Sequence, residues 1–241
     1  MADTTYFTPK IILAIGAHAD DMDVTSAGTL LRWAHEGAAV YYLQLTDSSR
    51  GSSDRNISPE QVATTRQAEQ RTAAELLGAK DVFFLSNCDG CLEVTQDLKR
   101  DIVRVIRQVK PDTVIGMDPT FIYSAERGMI NHPDHRAAGQ ATLDAVYPLA
   151  RDHLTFPELL QDEQLEPHRV EHVLLANFET QNYYVDISEF MDRKLEVVLA
   201  HASQFGEPER MSDMLRGMAE GMGVKTGSRY AEGFMRIDLA F

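Results

Sequence analysis

Short apolar runs alternate with amphipathic segments through the first half of the chain. Residues 11–15 are apolar and largely β-branched, which predicts a strand covered on both faces. Apolar side chains then recur at helical spacing over residues 25–36, and Gly37 follows as a helix-ending residue. Residues 39–46 form the next predicted strand, so the chain opens with a strand, helix, strand unit.

The same alternation continues to residue 146. Ser58, Pro59 and Gln61 supply an N-cap, a proline for the first turn and a capping-box glutamine, which together predict a helix that ends at Leu77. Further strands are predicted over residues 82–85 and 113–117, and further helices over residues 96–109 and 133–146. Strands and helices that alternate at these lengths predict an α/β fold with a mainly parallel sheet and helices on both faces.

The pattern is less regular after residue 146. Residues 147–167 are rich in charge and proline and are expected to be irregular. Additional C-terminal strands are predicted over 170–176 and 183–186, a helix over about 188–201, and a loop or lid with a short helical patch over 206–227. Four methionines in that last segment recur every three or four residues, which is typical of a buried or contact face of a helix: Met211, Met214, Met218 and Met222.

Composition and charge narrow the range of functions. The chain has 241 residues, 44% of them hydrophobic, which suits one globular domain over residues 1–241. Its 23 basic and 37 acidic residues give a formal net charge of −14, which argues against a nucleic-acid partner. The first ten residues do not resemble a signal peptide, and no apolar run approaches the roughly 20 residues that span a membrane, so we expect a soluble, cytoplasmic protein with no membrane partner.

Two clusters of histidine and aspartate follow the first and fourth predicted strands. His18, Asp20, Asp21 and Asp23 follow the first strand, and His132-Pro133-Asp134-His135 follows the fourth. In an open α/β sheet, ligands bind at the carboxyl ends of the strands where the strand order reverses, commonly between these two strands. We therefore expect the two clusters to form one site.

The first cluster favours a metal ion over a nucleotide. A dinucleotide-binding loop would carry glycines that let the backbone approach a pyrophosphate, whereas this loop carries one glycine, a histidine and three acids, which repel phosphate. A catalytic zinc site needs three ligands and an open position for water, and His18, Asp21 and His135 can supply those ligands. The same donors suit ferrous iron, so zinc is preferred and Fe²⁺ stays an alternative.

Each cluster alone has an ordinary structural explanation. A histidine three residues before an aspartate is common by chance, and the second cluster could be a polar helix N-terminus, with His132 kept out of the helix by Pro133. Their joint occurrence after strands one and four favours metal binding. The first turn of the helix after His132 would also direct its positive end at a developing oxyanion.

Short segments spread over nearly the whole chain carry a family resemblance. They are Ala17-His18-Ala19-Asp20-Asp21-Met22-Asp23, Gly28-Thr29-Leu30, Leu45-Thr46-Asp47, Arg66 with Glu69, Leu77-Gly78, His132-Pro133-Asp134-His135 and Ala231-Glu232-Gly233-Phe234. Together they resemble the PIG-L/LmbE-like family of zinc-dependent N-deacetylases. The resemblance implies a Rossmann-like fold, a homo-oligomer, and hydrolysis of an N-acetyl group on a small amino-sugar substrate, typically an N-acetylglucosamine conjugate.

The resemblance also implies roles for individual residues. His18, Asp21 and His135 would be the metal ligands, and Asp20 would be the general base that abstracts a proton. His132 would stabilise the tetrahedral intermediate, with Asp134 as its modulator. Arg66 and Asp89 would contact substrate hydroxyls. On this hypothesis Asp20 takes a proton from the attacking water, and protonated His132 shares the charge of the oxyanion with the metal.

The chain departs from the family pattern at a few positions. Ala19 replaces the usual proline, Asp23 replaces a glutamate, and Thr25 and Ala27 stand where glycines are common. These changes affect turn geometry and substrate fit more than metal binding. Two alternatives to the deacetylase stay open, which are a non-catalytic metal- or ligand-binding module of the same fold and a hydrolase of a different amide. Because a purely metal-binding module needs neither Asp20 nor His132, their presence favours an enzyme.

Three further features have two interpretations each. Cys88-Asp89-Gly90-Cys91 is interpreted as a turn with two unpaired thiols, with a redox-sensitive disulfide as the alternative. Residues 47–54 could offer hydroxyls and Arg50 to a sugar or could form a solvated turn. Five histidines lack partners at ligand spacing and are expected to lie on the surface or to be packed: His35, His153, His168, His172 and His201.

Overall fold

A seven-stranded sheet with helices on both faces forms the centre of the molecule. The computed structural model describes residues 6–177 and 179–240. Its strands are β1 (Ile11–Gly16), β2 (Ala39–Thr46), β3 (Asp81–Asn87), β4 (Thr113–Met117), β5 (Tyr123–Ser124), β6 (Met129–Ile130), β7 (His172–Ala176), β8 (Tyr183–Asp186) and β9 (Ala231–Asp238). Its α-helices are α1 (Asp21–His35), α2 (Pro59–Leu77), α3 (Gln96–Val109), α4 (Pro133–Val146), α5 (Pro157–Gln161), α6 (Met191–Leu199) and α7 (Pro208–Gly223).

The strand order is β3-β2-β1-β4-β7-β9-β8. The first five strands in this order run parallel, and β9 runs antiparallel to both β7 and β8. The order reverses between β1 and β4, as expected for a doubly wound sheet. The predicted fold class, a mainly parallel α/β sheet with additional C-terminal strands, is confirmed.

Alternate residues of β1 enter two different cores. Ile12 and Ala14 pack on the side of α1, α2, α6 and α7, whereas Leu13 and Ile15 pack on the side of α3 and α4. All four side chains are completely buried. A continuous apolar run is what a strand covered on both faces requires.

Local sequence signals place the ends of several helices. The capping box at the start of α2 forms as predicted, because the Ser58 side chain accepts from the Gln61 backbone and the Gln61 side chain accepts from the Ser58 backbone. In α4, Pro133 occupies the first turn and the His132 side chain caps the helix. A Cβ at Gly139 would collide with the carbonyl oxygen of Met117, so glycine lets α4 approach the end of β4 closely.

Four sequence-based predictions differ from the structure. Helix α1 begins at Asp21, four residues before the predicted start at Thr25, because acidic residues suit the first turn of a helix as well as a loop. The segment over 206–227 holds the 16-residue helix α7 rather than a short helical patch. Strand β9 was not predicted at all. The segment over 147–167 contains α5 and a 3₁₀ helix, Leu149–Arg151.

The longest helix, α2, has 19 residues and exposes polar side chains along much of its length. Within residues 6–177 and 179–240, no helix combines the length and apolar character that crossing a bilayer requires.

Candidate metal centre

The two histidine and aspartate clusters meet at the carboxyl ends of β1 and β4, as predicted. These strands are direct neighbours, with Ile12 opposite Thr113 and Ala14 opposite Ile115. The turn between β1 and α1 carries His18 and Asp20, and Asp21 is the first residue of α1. His132 and His135 lie at the N-terminus of α4. Residues more than a hundred positions apart therefore share one site.

Asp21 lies between the two predicted histidine ligands. Its Oδ1 is 3.1 Å from Nε2 of His135, and its Oδ2 is 3.6 Å from Nδ1 of His18. The backbone N–H of His18 also donates to Oδ2 of Asp21 at 2.8 Å. Two imidazoles thus face one buried carboxylate, which is a donor set that zinc and ferrous iron both accept.

The remaining nitrogen of each imidazole is engaged away from Asp21. Nδ1 of His135 lies 3.0 Å from Oδ1 of Asn131, and Nε2 of His18 lies 3.2 Å from a carboxylate oxygen of Asp134. Metal-binding histidines characteristically donate their second nitrogen to such a partner, which fixes the tautomer and the ring orientation. These contacts leave Nδ1 of His18 and Nε2 of His135 to face the Asp21 carboxylate.

His132 completes a group of three converging imidazoles. Donor atoms of His18, His132 and His135 all lie within 4.8 Å of one another, so distance alone also allows His132 as a ligand in place of Asp21. We favour Asp21, because it touches both other histidines and because a carboxylate offsets the charge of a divalent cation. Either way, the donor set of this site fits a small divalent metal ion.

Electrostatics show how strongly the site favours a cation. Burial opposes protonation of His18, but hydrogen bonds to Asp21 and Asp89 outweigh it and raise the pKa of His18 to about 10. For Asp21, burial acts to raise the pKa, but the neighbouring His135 and His18 outweigh it and hold this pKa well below its usual range. Carboxylates that retain a proton on a buried histidine would equally stabilise a metal ion in its place.

Asp20, the predicted general base, lies in the same turn with its backbone at φ 92° and ψ −29°. Its Oδ1 is 3.5 Å from Nη2 of Arg66, and its backbone N–H donates to Oε1 of Gln70 at 3.1 Å. Burial and then the charge of Asp21 raise the pKa of Asp20 to about 7, against the opposing charge of Arg66. A bound cation would favour the carboxylate form.

Asp134 contacts His18 with its carboxylate and His132 with its backbone. Its side chain accepts from the backbone N–H groups of Gly90 at 2.6 Å and Leu92 at 3.2 Å, and it reaches Nε2 of His18. Its own N–H donates to Nδ1 of His132 at 3.2 Å. Asp134, which the resemblance assigns as a modulator of His132, thus contacts that residue through a backbone hydrogen bond.

The protonation of His132 depends on the imidazoles around it. Burial, with the neighbouring imidazoles of His18 and His135, lowers the pKa of His132. This shift favours the neutral form of the ring. Because Nδ1 accepts from the Asp134 backbone, the proton of the neutral ring resides on Nε2.

Arg66 and Asp89, the predicted substrate contacts, both line the site but are largely engaged with the protein. Nη2 of Arg66 donates to the carbonyl of Ala19 at 2.9 Å, and Nη1 donates to the carbonyl of Arg50 at 3.3 Å. Asp89 places Oδ1 3.2 Å from Nε2 of His18 and accepts the Arg50 N–H on Oδ2. Both side chains are buried. They connect the loops that follow β1, β2 and β3.

An open cleft of about 330 Å³ lies over these residues. Arg50 and Gly51 contribute to its wall, so part of the 47–54 loop faces the site. Ser48 of the same loop accepts the N–H of Ala19 through its hydroxyl at 2.9 Å and supports the turn after β1. The volume falls in the range of about 300–1,000 Å³ that small-molecule sites occupy.

The cysteines lie beside the cleft. Both are free, as predicted, and both are exposed. Their Sγ atoms are 2.9 Å apart, and Nη2 of Arg50 lies 3.4 Å from Sγ of Cys88.

Sequence reasoning missed several polar side chains behind the site. Asn131 precedes the second cluster directly, so its position next to His135 was a usable signal. Gln70 follows Arg66 by one helical turn and shares its face of α2, which was a weaker signal. His201, expected to be a surface or packed histidine, is completely buried and lies 2.8 Å from Asp23, 178 positions away. No local pattern connects those two residues.

Comparisons with known proteins identify a family and similar chains. A family model described as PIG-L, GlcNAc-PI de-N-acetylase, matches residues 13–146. Diacetylchitobiose deacetylase of Thermococcus kodakarensis is 36% identical over 226 residues, which cover 93% of this chain and 82% of the relative.

Solved structures resemble the whole fold. The N,N'-diacetylchitobiose deacetylase from Pyrococcus horikoshii, complexed with its inhibitor, superposes with a TM-score of 0.87 at 30% identity and covers 95% of this chain and 84% of its own. The 4-carboxy-2-hydroxymuconate hydratase from Pseudomonas putida reaches a TM-score of 0.77 at 20% identity, covering 96% and 98% of the two chains. The second likeness concerns the fold alone, since its chemistry differs.

Proposed function

We propose, since this chain belongs to the PIG-L family, that it is a zinc-dependent N-deacetylase that hydrolyses the N-acetyl group of an N-acetylglucosamine conjugate. One observation carries the proposal. His18, Asp20 and Asp21 from the turn after β1 converge with His132 and His135 at the N-terminus of α4, beside a cleft of small-molecule size.

The metal would be held by His18, Asp21 and His135. A zinc ion bound there supplies a water of lowered pKa and polarises the amide carbonyl. Asn131 and Asp134 support the proposal, since they engage the second nitrogen of each imidazole and so orient both rings. Ferrous iron could use the same ligands, and metal analysis of protein purified without oxygen separates the two ions.

Asp20 is the residue that we assign as general base. Its carboxylate lines the cleft next to Asp21, and since a bound cation would favour the ionised form, this carboxylate is suited to accept a proton from the attacking water. Arg66 lies 3.5 Å from Oδ1 of Asp20 and opposes the rise in its pKa. The residue can afterwards return that proton to the departing amine.

His132 is assigned to the oxyanion of the tetrahedral intermediate. As a neutral ring it donates from Nε2, because Nδ1 is occupied by the Asp134 N–H. In this form the ring can donate to the oxyanion without prior protonation, whereas the imidazolium that the resemblance implies would donate with a full positive charge. Removal of one oxyanion donor typically lowers kcat about 10²–10³-fold.

The substrate would lie in the cleft among Arg50, Arg66 and Asp89. Carboxylate and guanidinium groups are suited to hydroxyl-rich ligands because they accept and donate several hydrogen bonds. Since Arg66 and Asp89 are already bonded to protein, they offer their remaining hydrogen-bonding positions to a sugar. N,N'-diacetylchitobiose is the first substrate to test, because a relative of 36% identity bears that name.

The decisive experiment measures acetate released from a panel of N-acetylated amino sugars, with and without a chelator. The panel contains N,N'-diacetylchitobiose, N-acetylglucosamine, and the inositol and malate conjugates of N-acetylglucosamine. Chelator-sensitive release from any of them supports the proposal. Release only from unrelated amides would identify a different hydrolase, and metal binding without any release would identify a non-catalytic module.

A further inference from the structure

Asp20 adopts a backbone conformation that side chains other than glycine rarely adopt. Its φ of 92° lies in the left-handed half of backbone space, beside a ψ of −29°. Such a conformation is strained and persists only where the surroundings enforce it. The contacts of the Asp20 backbone therefore hold it in this conformation.

Gln70 on α2 is bonded directly to that backbone. Its Oε1 accepts the N–H of Asp20 at 3.1 Å and the side-chain amide of Gln44 at 3.1 Å. Gln70 is completely buried. It touches none of the proposed metal ligands in these contacts, so its link to the site runs through Asp20.

Asp23 determines which way the Gln70 amide points. The amide Nε2 of Gln70 donates to Oδ2 of Asp23 at 2.9 Å. A carboxylate can only accept, so it selects the orientation in which the amide nitrogen faces Asp23 and the amide oxygen faces the N–H of Asp20. The reverse orientation would place an oxygen against an oxygen and a nitrogen against an N–H.

Asp23 itself is held by two further buried side chains. Oδ1 accepts the hydroxyl of Tyr42 at 2.6 Å, and Oδ2 lies 2.8 Å from Nε2 of His201. Asp23, Tyr42 and His201 are all completely buried. A chain of hydrogen bonds thus runs from His201, just after α6, through Asp23 and Gln70 to the backbone of Asp20.

We propose that Gln70, oriented by Asp23 and His201, is a positioning residue that holds the general base Asp20 in its catalytic conformation. The proposal rests on the proposed function for the role of Asp20, although the hydrogen-bond chain itself does not. Gln70 acts without touching the substrate. Its amide oxygen accepts the N–H of Asp20, and this bond holds the Asp20 backbone so that the side chain is directed into the cleft.

The test is Gln70→Met, which keeps the length of the side chain but removes both the donor and the acceptor. We expect kcat for deacetylation of N,N'-diacetylchitobiose to fall about 10²-fold, as displacement of a reacting group by about 1 Å can cause. KM should stay within about twofold and zinc content should stay at the wild-type level, because the substrate wall and the ligands are untouched. A crystal structure of the variant should show Asp20 with a negative φ.

A second variant and a control complete the experiment. Gln70→Glu replaces the donor to Asp23 by a second carboxylate, and repulsion between the two buried carboxylates should move the side chain away from the Asp20 N–H, so this variant should also lower kcat. It covers the case in which Gln70→Met does not fold. Gln67→Met makes the same substitution on the same helix at a partly exposed position and should leave kcat unchanged.

Several outcomes would overturn the proposal. Unchanged kcat in folded Gln70→Met or Gln70→Glu would do so, as would a loss of kcat with Asp20 still at its wild-type φ. A loss of zinc from either variant would show instead that Gln70 supports the metal site. If the wild-type protein releases no acetate, the proposed function fails, whereas the φ of Asp20 in the variants still tests the positioning.

Discussion

Nε2 of His135 lies 3.1 Å from Oδ1 of Asp21, and this contact joins the first turn of α4 to the first turn of α1. Helix α1 follows β1 after a short turn, and α4 follows the β5 and β6 pair that lies beyond β4. The N-termini of both helices, which carry partial positive charge, lie at this carboxylate. Asp21 also accepts the backbone N–H of His18. The carboxylate is therefore held in place by protein contacts alone.

Metal removal should abolish activity without unfolding the protein, because these contacts keep the ligands together. Chelation followed by dialysis should give a folded, inactive protein that regains activity when zinc is added. Thermal unfolding should move to higher temperature with zinc, corresponding to about 2.7 kcal/mol at a hundredfold excess over Kd. An apoprotein that retains full activity would contradict a metal-dependent mechanism.

Asp20→Asn should retain the metal and lose turnover. The amide keeps the size of the carboxyl but cannot accept a proton, so we expect kcat to fall at least about 10²-fold. Zinc content and circular dichroism should match the wild-type protein. Asp162→Asn, an exposed aspartate just after α5, is the matched control and should behave like wild type. Near-normal turnover by Asp20→Asn would remove Asp20 from the role of base.

Lys194→Met should strongly destabilise the fold. Nζ of Lys194 lies 2.6 Å from Oε1 of Glu232 and donates to the carbonyl of Val24 at 2.8 Å, in a region where both charged side chains are 4% exposed. Without Lys194, the charge of Glu232 stays buried and unpaired, which costs about 3–5 kcal/mol. Urea unfolding measures the change.

Lys80 is exposed, so Lys80→Met serves as the control and should change the free energy of unfolding by no more than about 0.5 kcal/mol. The double variant Lys194→Met/Glu232→Gln should recover part of the loss, because neither charge then remains. An equal loss in the single and double variants would show that packing, and not the unpaired charge, sets the cost.

Glu36→Gln should destabilise the protein in a pH-dependent way. Burial raises the pKa of Glu36, but hydrogen bonds from Tyr6, Thr8 and Arg32 outweigh it and hold this pKa below its ordinary 4.5. A carboxyl with a depressed pKa in the folded state stabilises the fold above its unfolded pKa and loses that contribution as pH falls through the folded pKa. The difference between wild type and variant should thus be full at pH 7 and shrink below pH 4.5.

Unfolding in urea at several pH values checks this prediction. Glu75→Gln, on the exposed face of α2, provides a control that should show a small difference at every pH. If the difference in the free energy of unfolding between wild type and Glu36→Gln stays constant down to pH 3, ionisation of Glu36 does not contribute to stability.

Topology made the meeting of the two histidine and aspartate clusters predictable from the sequence. The βαβ alternation identified β1 and β4 as neighbours, and a doubly wound sheet requires their carboxyl ends to meet. His18 and His135 could therefore be placed together without any pattern that links them directly. Distances, tautomers and the downward pKa shift of His132 depend on surrounding side chains and could not be inferred from the sequence.

The C-terminal third was predicted less well, for a physical reason. Helix α7 contains Gly217 and Gly221, which lower helix propensity, so its residues resembled a loop despite the periodic methionines. In the folded protein, Leu215 and Ala219 are buried against the core, and this packing offsets the low helix propensity of the glycines. Similarly, Gln70 and His201 act through tertiary contacts with Asp20 and Asp23 that no local spacing encodes.

The position of β9 has a consequence for synthesis on the ribosome. In the sheet order, β9 lies between β7 and β8, although it follows both in the chain. Strand β8 therefore has to wait for residues 231–238 to emerge before it can join the sheet through its pairing with β9. During elongation the parallel strands β1 to β4 can assemble first, while the edge of β7 stays open. Completion of the sheet is thus a late event, and a nascent chain stalled before residue 231 would expose that edge to other chains.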